Sequence, residues 1–222
     1  MALLERHGVL TREAVAGEAV EGGFSGVYPV LRLLEEGGRI RRGYFVDGLG
    51  AAQFALPGAV DRLRSLRDLP GELDGERGRA AYLLAAADPA NPYGAALPWP
   101  RRDAADRRPF QRAAGAYVAM VDGEAVLYLD RGGASLQALP AAEAPDRLAV
   151  ALGALGALVA DGRVRELVIT KVDGEPVAAS RFAEALLEAG FVRGYRGFAL
   201  RAPGTSTAGQ TVPRPSPVRP VR

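Results

Sequence analysis

The sequence predicts an α+β protein, and three observations lead to that fold class. Residues 1–38 show helical periodicity with capping residues and glycine stops, whereas residues 39–56 alternate with a period of two. A second alternating stretch at residues 117–139 contains Asp122-Gly123, and Asp-Gly between apolar runs is a strong signal for a β-hairpin. From residue 203 onwards Pro, Ser, Thr, Gly and Arg predominate without periodicity, which predicts a disordered tail at residues 203–222.

Residues 1–69 are predicted to form a helical segment that ends in a β-hairpin. Thr11 and Ser25 favour helix starts, because their hydroxyl oxygens accept hydrogen bonds from free backbone N–H groups. The predicted elements are helices at residues 2–7, 11–20 and 25–36 and hairpin strands at residues 39–46 and 51–56. Three short helices followed by a hairpin are typical of a winged helix, with residues 25–36 as its recognition helix and residues 48–50 as the tip of its wing.

Residues 70–140 are predicted to form an antiparallel β-barrel-like module, and residues 141–202 a C-terminal α/β element. Several antiparallel strands within a short segment favour a small barrel or a strongly curled sheet. The predicted strands of the module lie at residues 79–86, 117–121, 124–130 and 134–139. The predicted elements of the C-terminal part are a helix at residues 148–160, a strand at 166–171, a helix at 181–189 capped by Ser180, and a strand at 198–201.

The composition excludes several kinds of site. The chain has no cysteine and a single histidine, His7, which rules out disulfides, thiolate zinc sites, iron–sulfur clusters and multi-histidine metal sites, so no metal site is predicted. Charges appear by the fifth residue, Glu5, and the longest small-apolar run, residues 148–160, is too short to cross a bilayer. We therefore expect a cytoplasmic protein without a signal peptide or a membrane partner.

The net charge of +2 is unevenly distributed along the chain. Residues 1–38 carry −3 and residues 113–202 carry −2, whereas the tail at residues 203–222 carries +3. Residues 39–112 carry +4, from 13 arginines against nine acidic residues. Basic surface attracts the phosphate backbone of nucleic acids, so this middle segment is where we expect a nucleic-acid partner to bind.

The hairpin is the first candidate binding surface. In a strand, Arg39 and Arg41 face one side and Arg42 the other, so a wing carrying them is able to follow a phosphate backbone while Tyr44 or Phe45 stacks on a base. The alternative is an exposed hairpin whose arginines keep it soluble and whose aromatic rings lie in the core.

The predicted recognition helix adds little to the hairpin. Its expected outward residues are Tyr28, Arg32, Glu35 and Glu36. Arg32 is a candidate phosphate contact, but two carboxylates repel phosphate, so sequence-specific reading of the major groove is not expected.

The second candidate is the proline-rich loop at residues 88–109, which contains Asp88, Tyr93 and the only tryptophan, Trp99. Arginines in and just after this loop are candidate phosphate contacts: Arg101, Arg102, Arg107, Arg108 and Arg112. Base excision needs this chemistry, with an aromatic ring stacked on the flipped base and an aspartate that stabilises the sugar cation or orients water. The alternative is a structural loop in which Trp99 packs over the barrel end and Asp88 makes a local turn bond.

Three segments of the chain resemble the C-terminal end of the bacterial long-form large helicase-related (Lhr) proteins, ATP-dependent helicases of the DEAD/DEAH-box class: GRIRRGYFVDGLGAAQFALPGAVDRLR, LLAAADPANPYGAALPWP and VDGEPVAASRFAEALLEAGF. The resemblance extends over residues 1–202. It implies a winged helix followed by a β-barrel-like module, joined in the parent protein to a helicase core that moves 3′ to 5′ along DNA, and a role in DNA repair. It also implies a relation to winged-helix DNA glycosylases of the alkylpurine type, uracil excision and oligomer formation.

The sequence lacks a Walker A motif, a DEAH-type box and other helicase motifs, so ATP and magnesium belong to the parent helicase core and no cofactor is predicted for this chain. We expect an end-piece of a longer protein, whose helicase core acts in cis or is encoded by an adjacent gene.

Three hypotheses follow for its role. The favoured one is a module that binds DNA, single-stranded or as a hybrid duplex. The second is a DNA glycosylase for uracil or a damaged base, with Asp88 as the acid and Tyr93 or Trp99 as the stacking ring. The third is an oligomerisation module that packs through residues 148–160.

Overall fold

The structure is a computed structural model that describes residues 1–67, 79–102, 106 and 110–202. The loop predicted at residues 70–78, Arg107, Arg108 and the tail predicted at residues 203–222 lie outside the described residues.

The N-terminal part has the order of elements expected of a winged helix. It consists of α1 (Ala2–His7), β1 (Val9–Leu10), α2 (Arg12–Gly17), α3 (Gly23–Glu36), β2 (Arg41–Gly43), β3 (Gln53–Ala55) and α4 (Pro57–Arg67). The strands form an antiparallel sheet in the order β1-β3-β2, which leaves β2 at an edge. The two-residue strand β1 was not predicted, since two residues are too few to show a period of two.

The starts of two helices test the capping predictions. Thr11 caps α2 as predicted, because its Oγ1 accepts a hydrogen bond of 3.1 Å from the N–H of Ala14. The prediction that Ser25 caps α3 is wrong: α3 begins at Gly23, after Gly22 with φ of 72°. Glycine adopts this left-handed conformation without a steric penalty. The pair of glycines therefore starts the helix and does not stop the preceding one.

The central sheet is open. Its strands are β4 (Ala81–Ala85), β5 (Tyr117–Val121), β6 (Glu124–Leu129), β7 (Ser135–Ala138), β9 (Lys171–Val172) and β10 (Glu175–Pro176). The strand β8 (Glu166–Ile169) lies between β7 and β9 in the sequence but belongs to another sheet. The order is β10-β9-β7-β6-β5-β4, and all pairs are antiparallel except β7 with β9. Within the described residues β4 and β10 are the edge strands, so the sheet does not close into the small barrel that was one of the two predicted forms of this module. The predicted meander at β5, β6 and β7 is confirmed.

The C-terminal part packs helices against this sheet. Its remaining elements are α5 (Pro145–Leu155), α6 (Ala157–Ala160), α7 (Ala183–Glu188), β11 (Val192–Arg193) and β12 (Phe198–Arg201), and β11-β12-β8 form a second small antiparallel sheet. The single helix predicted at residues 148–160 is divided at Gly156. Ser180 does not cap α7, which begins at Ala183; its Oγ accepts from the N–H of Phe182.

One hydrophobic core joins the central sheet to the C-terminal helices. Its buried members run from Ala119 to Phe198 and include Leu152, Leu155 and Leu158, each at most 1% exposed. Because the core continues across residue 140, that predicted boundary does not mark a gap in the packing. The leucines of α5 and α6 therefore pack inside the chain, whereas Ala149 and Ala160 are exposed. Oligomer formation through residues 148–160 stays a prediction.

Among the described residues, no helix is long and apolar enough to cross a membrane.

Candidate nucleic-acid interface

The wing is the hairpin of residues 39–56, which comprises β2, β3 and the loop between them. The buried side chain of Gln53 holds that loop. This amide is 0% exposed. Its Oε1 accepts from the N–H groups of Phe45 at 2.9 Å and Val46 at 2.8 Å, and its Nε2 donates to the carbonyls of Val46 at 2.9 Å and Leu49 at 3.3 Å. One side chain thus fixes the backbone that leads into the wing tip.

Gln53 is a functional residue that the sequence analysis missed. It is a single amide in the apolar strand AAQFAL, and a buried polar side chain requires hydrogen-bond partners. The sequence therefore indicated that Gln53 needs hydrogen-bond partners, but it did not show that these partners lie on the loop between β2 and β3.

The arginines of the hairpin lie at the surface. Arg39, Arg41 and Arg42 are exposed and make no ion pair with a carboxylate of the described residues. Tyr44, next to them, is 88% exposed. Phe45 packs its ring against Gly43, where a Cβ atom would lie 3.0 Å from the ring. The hairpin therefore offers three solvated guanidinium groups and one accessible aromatic ring.

A cleft of about 360 Å³ lies beside this hairpin, between α2, α3 and the end of the wing. Arg12 and Arg42 line it from opposite elements, together with the hydroxyl-bearing residues Ser25 and Tyr28. Arg12 was not predicted as a binding residue, because its place at the start of a six-residue helix says nothing about what faces it. Two cations and two hydroxyl groups around one cleft suit an anionic ligand.

The exposed face of α3 differs from the prediction. Tyr28 is only half-exposed, because its ring packs edge-on against Phe54 with centroids 6.0 Å apart. The exposed apolar residues of α3 are Val30 at 58% and Leu33 at 68%. Arg32 is bonded to Glu36 at 2.8 Å, so its charge is partly neutralised. This face thus exposes two apolar side chains and an Arg32–Glu36 pair that already bond to each other, which does not favour reading of base edges in a major groove.

The proline-rich loop is organised by internal hydrogen bonds. Asp88 Oδ1 accepts from the N–H of Ala90 at 2.8 Å, which is the local turn bond expected before Pro89. Asn91 is 1% exposed; its amide donates to Ala86 O at 2.9 Å and accepts from the N–H of Tyr93 at 3.1 Å. The carboxylate of Asp88 is thus engaged in holding the loop.

The described arginines in and just after this loop donate to protein groups. Arg112 donates to the carbonyls of Asp88, Asn91 and Tyr93. Arg102 pairs with Asp173 at 2.8 Å and also donates to Ala138 O. Arg101 donates to the carbonyl of Asp106. Phosphate contacts by these three residues stay a prediction, and Arg107 and Arg108 lie outside the described residues.

The two predicted stacking rings lie in an aromatic cluster. Trp99 stacks on Tyr93 with centroids 6.0 Å apart, and its ring is 5.6 Å from Phe110 and 5.5 Å from Tyr128. Tyr93 is 9% exposed, its hydroxyl donates to Gly123 O, and burial raises its pKa. Trp99 is half-buried and packs against the central sheet through Tyr128, which is a packing role of the kind that the structural alternative describes. Stacking of either ring on a base stays a prediction and requires this cluster to open.

The fold and the wing define a winged-helix domain, and comparison with known proteins gives its family. Residues 1–74 match the family described as the winged-helix domain of large helicase-related proteins. The chain is 49% identical over 207 residues to the "Lhr helicase/ probable uracil glycosylase" of Mycolicibacterium smegmatis, which covers 90% of this chain and 13% of that protein. It is 38% identical over 189 residues to the "Lhr helicase/uracil glycosylase" of Escherichia coli, covering 85% and 12%.

These matches confirm the predicted resemblance to the C-terminal region of the bacterial large helicase-related proteins. The chain spans about an eighth of the length of the curated relatives it matches.

Proposed function

We propose that this chain is a nucleic-acid-binding module of an Lhr-type ATP-dependent DNA helicase that acts in DNA repair, and that the wing is its contact surface. The ATPase motor is supplied by a helicase core in cis. The single observation that carries the proposal is the wing itself, in which Arg39, Arg41 and Arg42 remain solvated beside the exposed ring of Tyr44.

The wing favours backbone binding over sequence reading. Solvated guanidinium groups attract phosphates by charge, which is independent of base sequence. The adjacent face of α3 exposes Val30 and Leu33, so it offers no row of base-reading amides or arginines. A helicase that moves along DNA needs this kind of contact, because a sequence-specific one would hold it at one place.

Binding is measured by fluorescence anisotropy with a labelled single strand and a labelled duplex over a range of salt concentrations. We expect the double variant Arg41→Ala/Arg42→Ala to weaken binding and to lower the slope of log K against log salt by about 2 on duplex DNA, one for each lost phosphate contact. The matched control is Arg163→Ala/Arg165→Ala, which removes the same charge from an exposed turn before β8.

The control is expected to change neither the affinity nor the salt slope by a comparable amount. Equal effects of the two double variants would show that only net charge matters, and would contradict a specific role of the wing. Binding that ignores salt would contradict the proposal as a whole.

Base excision by Asp88 has less support. The names of both relatives include uracil glycosylase, but the carboxylate of Asp88 is engaged in a turn and Tyr93 and Trp99 cover each other. Incubation with uracil-containing single-stranded DNA, followed by alkali cleavage, tests this alternative. Abasic product that is lost in Asp88→Asn would assign catalysis to this residue, whereas unchanged product would exclude it.

A further inference from the structure

A second hairpin of this chain has the same local chemistry as the wing. Strands β11 and β12 are joined by a tight turn in which the N–H of Gly194 donates to Gly197 O at 2.8 Å. The two residues at the turn are Tyr195 and Arg196. We call residues 192–198 the Tyr195 hairpin.

The base of the Tyr195 hairpin is fixed in the core. Phe191 and Phe198 at its two ends are 2% and 3% exposed. Gly197 lies directly against β8, since a Cβ atom there would overlap the carbonyl oxygen of Ile169 and lie 3.0 Å from its carbonyl carbon. The turn therefore has a rigid base and points its two central residues away from the sheet.

The tip carries an aromatic ring without cover. Tyr195 is 104% exposed and Val192 is 67% exposed. Arg193 lies over the ring of Phe198 at 5.5 Å, and Arg196 is exposed. From residue 189 to residue 222 the chain has six arginines and no acidic residue. A fully exposed tyrosine loses favourable burial, and here it stands in a segment with positive charge only.

The wing and the Tyr195 hairpin present the same groups. In the wing, Tyr44 follows Gly43 and two arginines, and in the second hairpin Tyr195 follows Gly194 and Arg193. Both tyrosines are more than four-fifths exposed. The sequence analysis assigned no role to the second hairpin, because its charge was averaged with that of an acidic segment.

We propose that the Tyr195 hairpin is a second nucleic-acid contact, specific for single strands, in which Tyr195 stacks on an unpaired base while Arg193 and Arg196 neutralise the flanking phosphates. Aromatic rings beside arginines bind single strands without sequence preference, because every base has a face on which a ring stacks. In a duplex these faces are covered by neighbouring bases, so a lone ring at a narrow tip has no place to stack. This inference rests on the proposed nucleic-acid binding of the chain but concerns a different surface.

The test uses the full chain and a fluorescein-labelled oligothymidylate of about 20 nucleotides, long enough for more than one contact. We expect Tyr195→Ala to weaken single-strand binding about tenfold and to leave duplex binding unchanged, whereas Tyr195→Phe retains the ring and the affinity. The matched control is Tyr82→Ala, which removes another exposed tyrosine, 58% exposed, from the edge strand β4. Photocrosslinking with 5-iododeoxyuridine in the same oligonucleotide, mapped by mass spectrometry, is expected to label Tyr195.

Equal affinity of the native chain and Tyr195→Ala for the single strand would overturn the inference. Crosslinks confined to Tyr44 would overturn it as well, while leaving the wing as the nucleic-acid contact. If the chain binds neither the single strand nor the duplex, both proposals are overturned together. Binding to vesicles of phosphatidylserine and phosphatidylcholine that is lost in Tyr195→Ala, with single-strand affinity retained, would assign the hairpin to a membrane surface and overturn the inference.

Discussion

Replacing Gln53 by leucine removes the hydrogen bonds that fix the backbone of the wing. The two side chains have similar volume, so the substitution leaves no large cavity in the sheet. The N–H groups of Phe45 and Val46 lose their acceptor, and the carbonyls of Val46 and Leu49 lose a donor. The short strands β2 and β3 then remain to hold the loop between them.

The expected loss follows from the geometry of these bonds. Three of them have donor–acceptor distances of 2.8 to 2.9 Å, and the fourth, to Leu49 O, is 3.3 Å and weaker. With a net contribution of about 1 kcal/mol for each of the three stronger bonds, Gln53→Leu lowers the free energy of unfolding by about 3 kcal/mol. Phe45 and Val46 are half-buried, so water reaches their amides once the wing loosens, and the loss stays below that of fully buried groups.

Denaturant unfolding measures this change, and hydrogen exchange at the amides of Phe45 and Val46 locates it. The matched control is Gln111→Leu at an exposed position, where we expect a change within about 0.5 kcal/mol. A loss of less than about 1 kcal/mol with unchanged exchange at both amides would refute the role of Gln53 as the residue that holds the wing.

Three further predictions concern the other part of the fold. Gly197→Ala is expected to destabilise the chain by about 2 kcal/mol or more in thermal unfolding, because the new methyl group meets the backbone of Ile169, which cannot move aside. Burial raises the pKa of Tyr93 and Tyr128. The stability that these tyrosines contribute is therefore present below about pH 10 and is lost as the pH rises through their folded-state pKa values. Unfolding midpoints measured at about pH 8 and about pH 11 test this loss. Arg112→Leu is expected to lower the stability by about 2 kcal/mol through its lost bonds to three loop carbonyls, and to weaken DNA binding less than the wing variant does.

Controls for these predictions come from the same chain. Gly153→Ala places a methyl group in open space on α5, so it should not lower the stability, since alanine favours helices over glycine. Tyr128→Phe removes one of the two buried hydroxyl groups and should reduce the loss at alkaline pH. If Arg112→Leu weakens binding as strongly as Arg41→Ala/Arg42→Ala without loss of stability, the loop is a binding surface.

Elements whose stability is local were predictable from the sequence. Helix α1, the Thr11 cap of α2 and the Asp-Gly hairpin between β5 and β6 each depend on a few neighbouring residues, and each was predicted. The sequence could not distinguish a small barrel from an open sheet, because closure requires the first and last strands to pair, which local sequence patterns do not specify. The parallel pairing of β7 with β9 joins segments more than 30 residues apart, and no local pattern encodes that pairing.

The basic surface of the candidate site was likewise predictable only in part. The count of +4 over residues 39–112 predicted a basic surface, but a count does not show where a guanidinium group points. Of the described arginines in and just after the proline-rich loop, Arg112 donates to backbone carbonyls and Arg102 pairs with a carboxylate. Those of the hairpin are exposed, and among the described residues β2 is an edge strand of its sheet.

We therefore expect an arginine to bind a ligand where the position of its element in the fold leaves the guanidinium group in solvent. A guanidinium group in a folded loop stabilises that loop and is released for a ligand only if the loop opens, whereas one on an edge hairpin is already solvated and loses little when it meets a phosphate. Among the residues that the structure describes, this argument selects the wing and the Tyr195 hairpin, whose strands β2 and β11 are edge strands. It also explains why the sequence analysis found the wing, where arginines are concentrated in the sequence. The second hairpin was missed because its exposed ring is presented by a glycine-flanked turn and is not marked by a cluster of charges.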